Sequence, residues 1–323
     1  MKAPSRRSLL AGAAALAASA PLHVRAYPER SITLVVPFAA GGSTDILARI
    51  VSDHLQRSLK QPVIVENRTG ASGNIGTAAV ARSAPDGYTL LFNTMSVHTM
   101  NYALFAAMPF DGVNDFSPIT LLAYVTNTMV THPSVPAANV AEFIAHAKAN
   151  PGRLAYASAG AGSTNHLCGA LLEKMAGISM VHVPYRGGAP AVADTVAGQT
   201  QLMFTAGTQS LEHVKAGRLR LLAVTEGQRS SLLPDIPTVA ETLPGCEMAV
   251  WYAAYGPAGM ASEIVGRLNA EIGGILSLPE VKQRMADIAV ETASSSPAEL
   301  AAMTRADADK WGKIIQQLGL APQ

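Results

Sequence analysis

The stretch "SITLVVPFAAGGSTDILAR", residues 31–49, joins an apolar run to a helical pattern through a glycine-rich turn. Its first eight residues, Ser31 to Phe38, are typical of a buried β-strand, and apolar residues then recur at helical spacing up to Leu59. Two further strand patterns, at 62–67 and 88–94, enclose a second helical pattern at 74–83. The order βαβαβ predicts a parallel sheet covered by helices.

A second set of the same kind follows. Asn139 is placed as the N-cap of a helix, and strand patterns at 154–158, 179–185, 201–206 and 219–225 then alternate with helical patterns at 163–177 and 190–198. The region from 262 onward reads as helical, and a capping box at Ser296 and Glu299 opens its last helix. A chain of this length exceeds the usual size of a single core, so we expect two α/β lobes.

The first 26 residues have the layout of a cleaved export signal. A basic start precedes an apolar run from Leu9 to Pro21, and the small residue Ala26 marks the expected cleavage site. The pair Arg6 and Arg7 resembles a twin-arginine signal, which exports folded chains. The apolar run is shorter than the roughly 20 residues that span a bilayer. We therefore expect a periplasmic protein; the alternative is a retained signal anchor.

Composition excludes several classes of function. Residues 1–26 contain four basic and no acidic residues, which leaves 20 basic against 23 acidic residues, a net charge of −3, in the remainder. Without a clustered basic face we predict no nucleic-acid partner. The eight histidines lack the paired spacing of zinc sites, so no metal is predicted. Cys168 and Cys246 are the only cysteines; free, packed thiols are favoured over a disulfide between them.

The glycines of "VIVENRTGASGNIG", residues 63–76, raise the question of a dinucleotide fingerprint. Such a turn follows the first strand of its fold, and an acidic residue about 20 positions later holds the ribose. Here the turn follows the second strand, and the next strand ends in Asn93 and Thr94. A nicotinamide-dependent reductase is therefore the less favoured alternative, and no cofactor is predicted.

No catalytic residue is predicted either. Ser72 and Ser163 do not lie in the G-x-S-x-G elbow that exposes the nucleophile of many serine hydrolases. Ser43 and Ser163 are instead interpreted as helix caps. Asp45 is interpreted as a cap of its own helix, with contact to an ammonium group of a ligand as the alternative, and His166 is interpreted as a packed helix residue.

One pattern recurs in both halves of the chain. "PFAAGGSTD", residues 37–45, and "SAGAGSTNH", residues 158–166, each join the end of a strand to the start of a helix. Glycines let such a loop present its backbone N–H groups, and the helix N-terminus carries partial positive charge. Either loop alone reads as a well-capped turn. Two echoing copies in two lobes predict a cleft that holds an anionic ligand from both sides.

An ordered series of motifs resembles the periplasmic solute receptors of tripartite tricarboxylate transporters, the Bug proteins. The series includes "PFAAGGSTDILAR", "VIVENRTGASGNIG", "APDGYTLLF", "FSPITLLA", "YASAGAGSTNHL", "VPYRGGAPAVADTVAGQ", "KAGRLRLLAVT" and "LPDIPTVAE". The resemblance implies a type II periplasmic-binding-protein fold, in which two α/β lobes are joined by two crossing strands and enclose a ligand cleft. It places lobe 1 at 27–126 plus 247–323, and lobe 2 at 127–246.

The resemblance also implies a set of ligand-binding residues. The first loop would hold one carboxylate and the second loop the other end of the ligand, with the end of the third strand facing the same cleft. The implied set is Phe38, Ala39, Gly41, Gly42, Ser43, Thr44, Asn93, Thr94, Ser158, Ala159, Gly160, Gly162, Ser163, Thr164, Asn165, Tyr185 and Thr205. Many family members have Asp where this chain has Thr205; if Thr205 faces the cleft, the missing negative charge would alter which polar group the far end of the ligand carries. Arg186 is interpreted either as a partner of the ligand or as part of an ion pair within its lobe.

The resemblance implies a receptor rather than an enzyme. It would bind a small carboxylate, an organic acid or amino acid, by domain closure and deliver it to two integral-membrane transporter subunits, acting as a monomer. The alternative is a sensor that presents its closed form to a membrane kinase.

Overall fold

The computed structural model describes residues 27–319, so the predicted export signal lies outside the described residues. Eleven strands are defined within this range. They are β1 Ile32–Val36, β2 Val63–Asn67, β3 Thr89–Thr94, β4 Phe116–Val125, β5 Asn127–Thr131, β6 Ala155–Ser158, β7 Val181–Pro184, β8 Leu202–Ala206, β9 Arg220–Val224, β10 Val250–Pro257 and β11 Val290–Thr292.

Twelve α-helices and one short 3₁₀ turn, Ala71–Gly73, connect these strands within residues 27–319. The helices are α1 Ser43–Leu59, α2 Asn74–Ala81, α3 Met95–Thr99, α4 Asn101–Leu104, α5 Val140–Ala149, α6 Thr164–Ala176, α7 Gly188–Val196, α8 Gly207–Lys215, α9 Val239–Thr242, α10 Ser262–Ser277, α11 Pro279–Ala286 and α12 Pro297–Leu318. None of these helices combines the length and apolar character that crossing a membrane requires.

The strands form two sheets, and each sheet is the centre of one lobe. The first has the order β11-β4-β10-β3-β1-β2, and the second has the order β7-β6-β8-β5-β9. We call the halves of the molecule built on these sheets lobe 1 and lobe 2. The predicted two-lobe α/β fold is confirmed.

Both sheets are mixed, so the expectation of parallel sheets is only partly correct. β1 pairs in parallel with β2 and β3, and β6 pairs in parallel with β7 and β8, as predicted. However, β10 runs antiparallel to β3 and β4, and β5 runs antiparallel to β8 and β9. β5 and β10 are the first strands after the two points where the chain crosses between lobes. Each enters its new sheet from the opposite end, so it runs antiparallel to its neighbours.

The chain crosses between the sheets twice. Only Thr126 separates β4 from β5, and its backbone N–H donates to Ala289 while its carbonyl accepts from Gly207. The return crossing lies between β9 and β10, where the Met248 N–H donates to the Thr225 carbonyl at 2.7 Å. Both crossings lie close to the predicted lobe boundaries. The exact residues of these boundaries remain a prediction.

The C-terminal region departs from its prediction in one place. The region predicted as helical from 262 onward is interrupted after Ala286, and Val290–Thr292 forms β11, which pairs antiparallel with β4. Ala289 has a positive φ of 56° at this break. The last helix does begin with the predicted capping box: Ser296 Oγ accepts from the Glu299 N–H, and the Glu299 carboxylate accepts from the Ser296 N–H.

A large buried core runs through both lobes. It includes Phe92 and Tyr255 beside the first sheet and Phe143 and Phe204 beside the second, while a smaller cluster around Val130 and Met203 covers the other face of the second sheet. Both cysteines are buried in the core and free, as predicted. The two lobes thus present the carboxyl ends of β1, β3, β6 and β8 to a shared cleft.

Candidate functional site

The first loop of the cleft connects β1 to α1. Gly41 adopts a φ of +77°, which favours glycine, and its N–H donates to Asp45 Oδ2 at 3.0 Å. Asp45 also accepts from Arg49 Nε at 2.9 Å and from Asn67 Nδ2 at 3.0 Å. Burial tends to raise the pKa of Asp45, but these hydrogen bonds outweigh it and hold the pKa below its usual value. Asp45 therefore fixes the turn before its own helix, close to the predicted role.

Ser43 does not cap α1, contrary to the prediction. Gly42 occupies the N-cap position, and no side chain makes a cap hydrogen bond there. Ser43 Oγ instead lies 2.5 Å from the hydroxyl of Tyr252, a buried residue on β10. Burial raises the pKa of Tyr252, so this hydroxyl is neutral. The first loop is thereby tied to the centre of the lobe 1 sheet.

The second loop connects β6 to α6 and is held by its own side chains. Ser163 caps α6 as predicted, since its Oγ accepts from the His166 N–H and donates to the Gly160 carbonyl. The Gly162 N–H donates to His166 Nδ1 at 3.1 Å, which requires the acceptor form of that nitrogen. Ser158 Oγ accepts from the Gly160 N–H and lies 2.7 Å from His182 Nε2.

The two histidines behind this loop are neutral at neutral pH. His166 and His182 stack with ring centroids 4.0 Å apart. Burial lowers the pKa of His166 to about 4, and burial together with the neighbouring His166 lowers the pKa of His182 to about 3. His166 is thus a packed helix residue, as predicted, and it adds no positive charge to the cleft.

The two loops enclose a small space that we call the inner cavity. Its volume of about 40 Å³ is on the order of three water molecules, enough for a carboxylate group. Its lining consists of Phe38, Gly42, Ser43, Thr44, Thr94, Ser96, Asn127, Ala159, Ser163, Thr164, Asn165, Gly188, Ala206, Gln209, Val250 and Tyr252. No Asp, Glu, Lys, Arg or His belongs to this lining.

Helix N-termini supply the electrostatic character of the inner cavity. The first residues of α1, α6 and α7 line it, and so does the segment from Ala206 to Gln209 where α8 begins. Each of these four helices has at least nine residues, so each directs unpaired N–H groups and partial positive charge toward its first turn. An anion is the ligand that such an arrangement favours.

One buried hydroxyl in the inner cavity lacks a partner. Thr94 is 7 % exposed, and its Oγ1 makes no hydrogen bond within residues 27–319. Other polar side chains of the lining are engaged: Asn165 Nδ2 donates to the Phe204 carbonyl, and Asn127 Nδ2 donates to Thr225 Oγ1. A buried hydroxyl without a partner costs free energy. Thr94 is therefore available to donate to a ligand.

The structure brings together about half of the predicted binding residues. Phe38, Gly42, Ser43, Thr44, Thr94, Ala159, Ser163, Thr164 and Asn165 line the inner cavity. Ala39, Gly41, Asn93, Ser158, Gly160, Gly162, Tyr185 and Thr205 do not line it.

Asn93 and Thr205 face the protein interior instead of the inner cavity. Asn93 is fully buried, with its Nδ2 donating to Thr77 Oγ1 and its Oδ1 accepting from the Thr94 N–H. Thr205 Oγ1 donates to Gln209 Oε1 at 3.1 Å, so Thr205 positions Gln209 from behind. The presence of Thr instead of Asp at position 205 therefore affects the inner cavity only through Gln209, which lines it.

Sequence reasoning missed seven lining residues, namely Ser96, Asn127, Gly188, Ala206, Gln209, Val250 and Tyr252. Gly188 and Gln209 follow predicted strands and Ala206 ends one, so the rule that ligands bind beyond the carboxyl ends of strands is the signal that points to them. Tyr252 has no such signal, because its place depends on the antiparallel pairing of β10 with β3.

The lobes are in contact along the cleft. Ser72, in the 3₁₀ turn of lobe 1, donates through its Oγ to the Ala161 carbonyl of lobe 2. A Cβ added to Gly160 would come within 2.6 Å of Ser72 Oγ, and one added to Gly162 would lie 3.0 Å from Asn101 Oδ1. The glycines of the second loop thus permit the close approach of lobe 1. The "TGASGNIG" turn follows β2 and takes part in this lobe contact.

Comparisons with known proteins identify the family of this chain. A sequence model of one protein family, the tripartite tricarboxylate transporter family receptor, matches residues 47–320. A Pseudomonas sp. (strain P51) relative, described as a UPF0065 protein in the tcbD-tcbE intergenic region, is 37% identical over 98% of this chain and 95% of its own length.

Two solved structures resemble the whole chain. Rpa4515 of R. palustris, solved with adipate, is 35% identical with a TM-score of 0.89, over 92% of this chain and 100% of that chain. MatC from Rhodopseudomonas palustris, solved with bound malate, is 29% identical with a TM-score of 0.85, over 90% of this chain and 100% of that chain. Because the family model covers most of the chain and the relatives match along nearly its full length, this protein belongs to the tripartite tricarboxylate transporter receptor family.

Proposed function

We propose that the protein is a periplasmic receptor that captures a small organic acid by closing its lobes and delivers it to two integral-membrane transporter subunits. The observation that carries this proposal is the convergence of four helix N-termini on a cavity lined by no charged side chain. Backbone N–H groups and hydroxyls then hold a carboxylate without a formal counter-charge. Such a site favours anions over neutral and cationic solutes.

The acid we propose is a dicarboxylate. Support comes from the two solved relatives, which contain adipate and malate. The inner cavity, at about 40 Å³, has room for one carboxylate, so the rest of a longer acid must extend toward the cleft opening. The ligand class is therefore set partly by residues outside the inner cavity.

Binding is non-covalent in this proposal, and the acid leaves unchanged. The three serines of the inner cavity are not paired with a general base: Ser43 bonds to the neutral Tyr252, Ser163 donates to the Gly160 carbonyl, and the Ser96 side chain makes no hydrogen bond within residues 27–319. A serine nucleophile needs a base within hydrogen-bond reach. The hydroxyls therefore serve as hydrogen-bonding groups for the ligand and for the loops.

The thermal unfolding midpoint of the purified protein, measured against a panel of acids, tests the binding step. The panel contains succinate, malate, adipate, hexanoate, glutamate and NAD. A ligand at 100 times its dissociation constant adds about 2.7 kcal/mol of stability, which for a chain of this size shifts the midpoint by roughly 5 °C. A shift with one or more carboxylates and none with NAD supports the proposal, whereas a shift with NAD alone contradicts it.

Delivery needs a separate test. The two membrane subunits in proteoliposomes should accumulate the labelled acid only when the receptor is supplied at the periplasmic face. Uptake that does not depend on the receptor would contradict the delivery step while leaving the binding step standing.

A further inference from the structure

A second cavity adjoins the inner one at the mouth of the cleft. This outer cavity has a volume of about 230 Å³ and shares the walls Phe38 and Ala159 with the inner cavity. Lobe 1 contributes Pro37 and the turn from Thr69 to Gly73, and lobe 2 contributes the segment from Pro184 to Arg186. Because the two cavities share these walls, the outer cavity is an adjoining space into which the rest of a ligand held in the inner cavity can extend.

Arg186 is the one charged residue in the lining of the outer cavity. It is exposed, and within residues 27–319 its guanidinium has neither an ion-pair nor a hydrogen-bond partner. Arg49 and Arg68, by contrast, form ion pairs with Asp45 and Glu66. The alternative of an ion pair within its lobe, left open by the sequence, is therefore not what the structure shows.

The backbone around Arg186 is firmly placed. The Tyr185 N–H donates to the Ser158 carbonyl at 3.0 Å, and the Tyr185 hydroxyl donates to Asp194 at 2.8 Å, which engages the nearby carboxylate. Gly187 follows with a φ of +123°, and a Cβ there would lie 3.3 Å from Ala39 of lobe 1. Arg186 thus stands at the point where the two lobes meet.

We propose that Arg186 binds the second anionic group of the ligand and makes the receptor selective for diacids over monoacids. The proposal rests on the proposed function, because the first carboxylate must occupy the inner cavity. Phe38, Pro37 and Pro184 supply apolar walls for the carbon chain between the two carboxylates. The planar guanidinium donates two parallel N–H groups to a carboxylate, a geometry that lysine lacks.

Matched acids test this proposal by isothermal titration. Each diacid is compared with the monoacid of equal chain length: succinate with butyrate, adipate with hexanoate, and suberate with octanoate. Wild-type protein should bind the best diacid at least tenfold more tightly than its monoacid, because a hydrogen-bonded charge pair at a partly exposed site contributes about that factor. Arg186→Gln should remove this preference and leave monoacid affinity unchanged. Arg186→Lys should restore part of it.

Arg153→Gln is the matched control, since Arg153 is an exposed arginine of the same lobe that lines none of the cavities described above. It should retain the wild-type preference. Because screening weakens exposed charge pairs, the diacid affinity should also fall more steeply with salt in wild-type protein than in Arg186→Gln. Unchanged diacid affinity in Arg186→Gln would overturn the role of Arg186 alone. Equal affinity of wild-type protein for diacid and monoacid would overturn both that role and the proposed dicarboxylate ligand, while capture of an organic acid would still stand. Wild-type protein that binds none of the acids would overturn the proposed function and this inference together.

Discussion

Closure of the lobes onto the second loop can be tested by placing a side chain at Gly162. This residue of lobe 2 adopts a φ of +82°, and an added Cβ would lie 3.0 Å from Asn101 Oδ1, 3.1 Å from Phe105 Cε2 and 3.4 Å from Leu104 Cδ1. All three neighbours belong to lobe 1. The two methyl groups of Gly162→Val extend further into this contact, which opening of the lobes would separate.

The expected loss of affinity follows from the cost of overpacking. Forcing extra methyl groups into a packed contact costs about 1–3 kcal/mol. Here that cost falls on the closed form, so the dissociation constant of the acid should rise between about 5-fold and about 150-fold. A left-handed backbone also strains any side chain by roughly 1–2 kcal/mol. That second cost lowers the free energy of unfolding in both the open and the closed form.

Gly152→Val separates the two costs. Gly152 lies in the same lobe with a φ of +68°, and an added Cβ there meets nothing within 4 Å. Denaturant unfolding should show a similar loss of stability in both variants, and isothermal titration should show weakened binding only in Gly162→Val. Equal affinities in the two variants would refute the closed arrangement of the lobes.

Three further substitutions probe individual contacts. Thr94→Val should weaken acid binding about threefold to tenfold, as expected for one lost hydrogen bond, without lowering the midpoint of the ligand-free protein, because the hydroxyl has no partner to lose; a destabilised but normally binding variant would count against its proposed role. Tyr252→Phe should lower the free energy of unfolding by about 1–2 kcal/mol in denaturant titration, since it leaves the buried Ser43 hydroxyl unpaired; no loss would mean that this contact is unimportant. Burial raises the pKa of Glu226 from 4.5 to about 7, despite hydrogen bonds from backbone N–H groups that include Asn127. Between pH 4.5 and 7 the folded protein therefore keeps a proton on Glu226 that the unfolded chain has released. The free energy of unfolding should fall by up to about 3 kcal/mol as the pH rises through this range. Glu226→Gln should flatten this slope in urea titrations, and an unchanged slope would show that Glu226 is not its source.

Local signals were sufficient to locate the two loops. The strand that ends at Val36 and the helix that begins at Ser43 are both set by apolar periodicity, and the glycines between them mark the turn. The same holds for β6 and α6, where Ser163 takes its predicted cap position. Binding residues carried by these loops could therefore be named from the sequence.

Contacts between distant segments could not be read in the same way. Tyr252 reaches Ser43 across 209 positions, and nothing in the sequence around either residue indicates the pairing. The side chain of Asn93 was expected to face the cleft, but alternation along β3 turns it toward Thr77 and leaves Thr94 at the inner cavity. Register and sheet order decide such questions, and they depend on the whole fold.

A crystal structure of the protein with the acid that raises its thermal midpoint most would show directly how the acid is held. One carboxylate should lie in the inner cavity, within hydrogen-bonding distance of N–H groups at the start of α1 and α6 and of the Thr94 hydroxyl. An acid bound outside the cleft, or one whose inner carboxylate is held by a charged side chain, would contradict this arrangement.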